Sequence, residues 1–102
     1  MLNITDIKIR KLMNEGRLRA VVSITVDHSL AIHDIKVIEG QNRLFVAMPS
    51  RREETGIYRD VVHPISAQGR KELEESILAA YHQAVEQAGV SPDGEPSQDR
   101  MR

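Results

Sequence analysis

The feature that most constrains this chain is an alternation of side chains between Leu18 and Val26. Every second residue of the segment is apolar, namely Leu18, Ala20, Val22, Ile24 and Val26. Polar residues occupy most of the positions between them. Because successive side chains of a β-strand point to opposite faces, this period of two predicts a strand with one buried face.

Four shorter segments predict further strands, and turn residues separate them. In the first segment Ile7 and Ile9 alternate with cationic residues, and the others cover residues 32–38, 44–48 and 58–63. Residues 14–16, 27–29 and 39–42 are typical of tight turns, while Pro49 and Pro64 each end a strand. Residues 50–56 have no apolar side chain and predict a loop. Since these connections are short, we expect an antiparallel meander sheet of about five strands.

The period changes after Ser66. Apolar residues then recur every three or four positions, at Leu73, Ile77, Tyr81, Val85 and Ala88. This spacing predicts an α-helix with one apolar face. Ser66 suits its N-cap and Gly89 suits the residue that follows its last turn.

A sheet followed by one helix predicts a single α+β domain over residues 1–89. Residues 90–102 contain two prolines, a glycine and only two apolar residues, so they predict a disordered tail. One helix covers only part of one sheet face. The remaining apolar surface and the strand edges therefore favour a homodimer that forms through strand edges.

The composition narrows the class of protein. The chain has 102 residues and a net charge of −1, which fits one small domain. It has no cysteine. Its apolar stretches are too short for a signal peptide and far shorter than the ~20 residues of a membrane-spanning helix. We therefore expect a cytoplasmic protein without disulfides that does not act at a membrane.

No specific catalytic or metal-binding motif is present. The glycines are isolated and form no phosphate-binding loop. The four histidines, His28, His33, His63 and His82, lack a recognised metal-ligand spacing, so we expect ordinary hydrogen-bonded or solvated side chains. Asp60 and His63 lie three residues apart, but no nucleophile motif accompanies them. We therefore expect no enzyme activity, no small-molecule substrate, no cofactor and no metal.

The most informative polar stretch covers residues 50–59. Arg51 and Arg52 are adjacent there, and Arg59 follows on the next predicted strand. The planar arginine fork suits bidentate contact with phosphate or guanine. Glu53 and Glu54 could equally pair with these arginines on a solvated surface, so the residues alone leave both interpretations open.

Several blocks in fixed order give the chain a close resemblance to the SpoVG family of bacterial regulators. The resemblance extends over roughly residues 2–86 and is carried by residues 17–20, 23–28, 33–40, 44–52 and 58–65. The blocks include Leu44-Phe45-Val46-Ala47-Met48-Pro49-Ser50-Arg51-Arg52 and Tyr58-Arg59-Asp60-Val61-Val62-His63-Pro64-Ile65.

This resemblance implies a dimeric cytoplasmic regulator that binds DNA and, in some members, RNA. It implies roles in septation, sporulation and the expression of surface or virulence genes. It places the nucleic-acid contacts at Ser50, Arg51 and Arg52, with Arg59 as a further candidate. In many members a threonine and a turn with proline or asparagine follow the basic pair, whereas this chain has Glu53 and Glu54 there.

Two alternative functions remain open from the sequence. A protein-interaction adaptor would use the strand edges and the acidic helix, and it is compatible with a regulator. An enzyme with an unrecognised site would depend on His63 or Asp60 and ranks last.

Overall fold

The computed structural model describes residues 3–13 and 15–88, which form six strands and one helix. The strands are β1 (Ile4–Leu12), β2 (Leu18–Val26), β3 (Leu30–Glu39), β4 (Leu44–Ala47), β5 (Ser50–Arg52) and β6 (Tyr58–Asp60), and the helix is α1 (Ala67–Ala88). The first four strands form an antiparallel sheet in the order β1-β2-β3-β4. β5 and β6 form a separate two-stranded antiparallel sheet.

The alternation in β2 determines which face of the large sheet is buried. Ala20, Val22 and Ile24 are almost fully buried. Their cross-strand partners on β3 are Val37, Ile35 and Ile32, and those on β1 are Leu12, Ile9 and Ile7. Because directly paired residues share a face, these side chains form one apolar surface.

α1 covers that surface. Leu73, Ile77, Tyr81 and Val85 recur every four residues and are buried against the sheet. The Ser66 hydroxyl oxygen accepts a hydrogen bond from the backbone N–H of Gly69 at 2.9 Å, which confirms Ser66 as the N-cap. A Cβ on Gly69 would lie only 3.1 Å from that oxygen, so glycine leaves room for the cap.

Four irregularities interrupt the ladders of the large sheet. Thr5 and Arg10 are extra residues in β1, and Arg19 is extra in β2. In β3, His33 and Asp34 together face Ser23 of β2, and Asp34 has a φ of 65°. Such bulges bend a strand and redirect its side chains.

The predicted α+β architecture is confirmed. The observed strands differ from the predicted ones in the part of the chain after β4. Residues 50–56 were expected to form a loop, but Ser50–Arg52 form β5, which pairs with β6. The strand expected over residues 58–63 ends at Asp60. All six residues of β5 and β6 are exposed, so this hairpin has no buried face. It therefore lacks the apolar alternation that would have identified its strands in the sequence.

Asn14, Gly89 and the tail over residues 90–102 lie outside the described residues. The domain boundary at residue 89 and the homodimer therefore stay predictions. Within residues 3–13 and 15–88, no helix is long and apolar enough to cross a bilayer.

Candidate nucleic-acid interface

The hairpin of β5 and β6 contains every residue that the sequence assigned to nucleic-acid binding. Ser50 pairs with Asp60, Arg51 with Arg59, and Arg52 with Tyr58. The structure thus brings Ser50, Arg51, Arg52 and Arg59 together within three rungs of one ladder.

A compact turn closes this hairpin. The backbone N–H of Gly56 donates to the carbonyl oxygen of Glu53 at 2.9 Å, and the N–H of Glu53 donates to the oxygen of Ile57 at 2.8 Å. Gly56 has a φ of 91°, in the left-handed region that favours glycine. This combination is typical of a three-residue hairpin loop whose last residue is a glycine in the left-handed region.

The two arginines of the middle rung, Arg51 and Arg59, lie on the same face of the hairpin because they are direct cross-strand partners. The Nε of Arg59 lies 2.8 Å from Oε1 of Glu53 in an ion pair. The side chains of this pair are 66% and 42% exposed, so the pair adds little to stability. Its main consequence is that a carboxylate partly neutralises one of the two guanidinium groups.

Arg52 lies on the opposite face of the hairpin from Arg51, together with its cross-strand partner Tyr58. Its guanidinium group lies near the turn, since a Cβ placed on Gly56 would be 3.6 Å from its Nη2. The adjacent arginines therefore do not act as one clamp. Each presents its fork to a different side of the hairpin.

The hairpin projects from a fixed base. The N–H of Val61 donates to the carbonyl oxygen of Pro49 at 2.7 Å, which joins the two ends of the hairpin. We call this two-stranded hairpin, residues 50–60, the ribbon. Met48 is buried in the core immediately before Pro49, and Val62 packs against the core immediately after Val61. These contacts hold the base of the ribbon against the domain while its arginines remain in solvent.

The other candidate residues do not converge on a site. The Nδ1 of His63 lies 3.0 Å from the carbonyl oxygen of Pro64, and Asp60 faces Ser50 across the hairpin. Among the described residues, no group of three or more histidine or carboxylate side chains could hold a metal ion. The absence of catalysis stays a prediction.

The Arg51–Arg59 pairing is the part of this interface that sequence reasoning missed. Arg51 was grouped with Arg52, its neighbour in the chain. Its spatial partner is eight positions away, across a turn closed by Gly56. The glycine after a short polar segment was the only signal in the sequence that could have suggested a hairpin.

Comparison with known proteins places this chain in a family. The SpoVG family matches residues 2–83. A protein from Exiguobacterium sibiricum is 56% identical over 80 residues, which cover 78% of each chain. Proteins from Clostridium botulinum and Clostridioides difficile are 48% and 50% identical over 92 residues, which cover 90% of this chain and all of theirs. All three relatives are provisionally named septation protein SpoVG.

Proposed function

Because the chain belongs to the SpoVG family, we propose that it is a nucleic-acid-binding regulatory protein with a role in septation or sporulation. The names of its relatives support the septation role. The proposal places the protein in the cytoplasm as a homodimer whose partner is DNA and, for some targets, RNA. It involves no catalysis, cofactor, small-molecule substrate or membrane.

One observation carries the nucleic-acid proposal, namely the pairing of Arg51 with Arg59 on an exposed two-stranded ribbon. A major groove about 12 Å wide admits such a ribbon. Directly paired side chains have Cβ atoms ~5 Å apart, so two guanidinium groups reach one short stretch of groove or backbone. Arg52, on the opposite face, is placed to contact a phosphate at the groove wall.

The homodimer is supported by apolar side chains near the ribbon. Val61 and Ile65, which follow β6 in the chain, are 64% and 92% exposed. A second copy that covers them would remove apolar surface from water. It would also present two arginine ribbons to one nucleic-acid molecule, which increases the number of neutralised phosphates.

Fluorescence anisotropy with random duplex DNA and with single-stranded RNA, at several salt concentrations, tests this proposal. The test variant carries Arg51→Gln and Arg59→Gln. The control variant carries Arg43→Gln and Lys71→Gln, which remove the same amount of charge. Arg43 precedes β4, at the end of that strand away from the ribbon, and Lys71 lies on α1. We expect the test variant alone to lose affinity roughly tenfold or more and to lower the salt slope by about 1.8, at about 0.9 per phosphate contact. Equal slopes for the two variants would show that the ribbon does not bind nucleic acid.

A protein-interaction adaptor is the alternative, and the exposed apolar residues around Val61 are the observation that favours it. Addition of a partner strand to the sheet has less support. β1 is bulged at Thr5 and Arg10, and the carbonyl oxygen of Val46 in β4 accepts a hydrogen bond from Arg70 at 3.3 Å. A protein partner that stays bound after nuclease treatment, together with no nucleic-acid binding, would favour the adaptor.

A further inference from the structure

The sheet face that α1 leaves uncovered carries a second group of cationic side chains. Lys11 and Lys36 are both cross-strand partners of Val21, whose neighbours in β2 point to the buried face. Lys8 is the partner of Ser23 on that same face. Arg10 joins them, since its Nε donates to the Ser23 hydroxyl oxygen at 3.3 Å. We call Lys8, Arg10, Lys11 and Lys36 the open-face cluster.

The charges of the open-face cluster are not neutralised within the described part of the chain. The salt bridges formed there involve Arg19, Arg59 and Arg70, and none involves a member of the cluster. Lys8, Arg10 and Lys11 are exposed, and Lys36 is half-buried. Two carboxylates lie nearby, Asp6 opposite Thr25 and Asp34 in the β3 bulge. Four cations against two border carboxylates leave this face positive.

Ser23 orients the arginine of this cluster. Its side chain is almost fully buried, and its hydroxyl oxygen lies 2.8 Å from Nδ1 of His33. Because a hydroxyl oxygen can take part in more than one hydrogen bond, Ser23 links Arg10 to His33. The described hydrogen bond of Arg10 uses Nε alone, which leaves both terminal nitrogens of its fork for an anion.

The spacing of these cations suits an extended anion better than a small one. Lys11 and Lys36 are separated by β2, so their backbones lie about 10 Å apart, twice the interstrand spacing of ~4.8 Å. Val21 occupies the position between them. A flat row of separated positive charges fits a chain of phosphates rather than one phosphate in a pocket.

We propose that the open-face cluster is a second nucleic-acid contact surface that binds the phosphate backbone without reading bases. Phe45, opposite Ile38, is the one aromatic residue in the four described strands of the large sheet, and it also borders a cleft beside Arg70 and Leu78 of α1. Base recognition by stacking normally needs several aromatic residues, so the contact is electrostatic. A second copy of this chain is a poor occupant, since two copies of one positive face repel each other.

This proposal rests on the proposed nucleic-acid function and adds a surface separate from the ribbon. In cooperation, the two surfaces neutralise more phosphates than the ribbon alone. The net charge of the whole chain, −1, does not reveal these two positively charged surfaces. The acidic side chains of α1 offset these cations in the net charge of the chain. They are remote from the open-face cluster, because α1 packs against the other face of the sheet.

The test compares a Lys8→Gln and Lys11→Gln variant with the Arg43→Gln and Lys71→Gln control. Both lysines are exposed on an edge strand, so the fold tolerates the change. With random duplex DNA, we expect the open-face variant to lower the salt slope by about 1.8 and the affinity roughly tenfold. The loss should be equal for unrelated DNA sequences. A second variant, Arg10→Gln, should lower the slope by about 0.9 with an unchanged Tm.

The outcomes separate this proposal from the ribbon proposal. If the Arg51→Gln and Arg59→Gln variant loses slope and the open-face variant matches its control, the open-face proposal is overturned alone. If only the open-face variant loses slope, the ribbon assignment is wrong and the open face stands. A wild-type protein that binds neither DNA nor RNA overturns both. An open-face variant that changes the oligomeric state but not the slope would make this face a contact between copies, which also overturns the proposal.

Discussion

Glu53 is the residue that most directly limits the charge of the ribbon. Its carboxylate holds Arg59 at 2.8 Å, while Arg51 across the ladder has no ion pair among the described residues. The neighbouring Glu54 lies in the exposed turn. The two glutamates therefore differ in what they contact although they carry the same charge.

Glu53→Gln should strengthen nucleic-acid binding severalfold, because it frees the Arg59 guanidinium for a phosphate. The salt slope should increase by up to about 0.9, which corresponds to one additional contact. Glu54→Gln removes the same charge without freeing an arginine and serves as the control. Anisotropy titrations with duplex DNA measure the affinity of both variants. Equal increases in affinity would show that net charge alone, and not the release of Arg59, causes the effect.

Tyr81 couples folding to alkaline pH. Burial raises the pKa of its hydroxyl above the ordinary value of 10.0; nearby Arg19 lowers this pKa, and Glu39 raises it. The folded state therefore holds the Tyr81 proton more tightly than the unfolded state does. Its contribution to stability is complete below about pH 10 and is lost as pH rises through the raised pKa.

Tyr81→Phe should make the free energy of unfolding less dependent on pH above about pH 10, since phenylalanine has no proton to lose. Urea denaturation at pH 8, 10 and 11 measures the difference. Tyr58→Phe is the control, because Tyr58 is 68% exposed. A pH dependence of Tyr81→Phe that equals that of the wild type would assign alkaline unfolding to other groups.

At the scale of elements, the hairpin and the large sheet are stabilised in different ways. The large sheet has a buried apolar face covered by α1. The hairpin has backbone hydrogen bonds, one exposed ion pair and a glycine turn, with buried contacts only at its base. We therefore expect the hairpin to open locally while the sheet stays folded.

Gly56→Ala should weaken nucleic-acid binding with little change in Tm. Its φ of 91° costs about 1 kcal/mol for a residue with a Cβ, although the nearest atom, Arg52 Nη2, is 3.6 Å away. Gly16→Ala is the matched control. Gly16 has a φ of 84° and open space around it, but it lies in the turn between β1 and β2. The control should lower Tm and leave binding intact, and a reversed pattern would contradict this view of the hairpin.

At the scale of the whole molecule, stability depends on one contact layer between α1 and the sheet. Ile77 is fully buried at its centre, together with Ile24, Ile35 and Val37. A domain of this size has a free energy of unfolding of about 5–10 kcal/mol. The loss of one large side chain from the layer is therefore a substantial fraction of the total.

Ile77→Ala should lower the free energy of unfolding by about 2–5 kcal/mol, which corresponds to roughly 10–30 °C in Tm. Thermal and urea denaturation measure it. Ile65→Ala removes the same atoms from a side chain that is 92% exposed and should leave the monomer's stability unchanged. If both variants lost the same stability, α1 would not be the element that covers the core.

The sequence by itself determined the large sheet, the helix and the residues of the candidate interface. Hydrophobic periodicity is a local property, and burial of one face imposes it on β2 and α1 directly. The N-cap at Ser66 was equally local, because the capping hydrogen bond spans three residues. Arg51, Arg52 and Arg59 could be chosen as candidate binding residues because the chemistry of a side chain is known from the amino-acid sequence alone.

Only the tertiary structure decided which cations lie close together. The ribbon has no buried face, so nothing in its periodicity revealed that Arg51 pairs with Arg59 and that Arg52 lies on the other side. Lys11 and Lys36 lie 25 positions apart and meet only because both pair with Val21. Strand register is fixed by burial of the opposite face and by bulges at Arg10 and His33–Asp34, which no local pattern encodes. The apolar residues therefore determined, through the register they impose, where the positive charges of this protein gather.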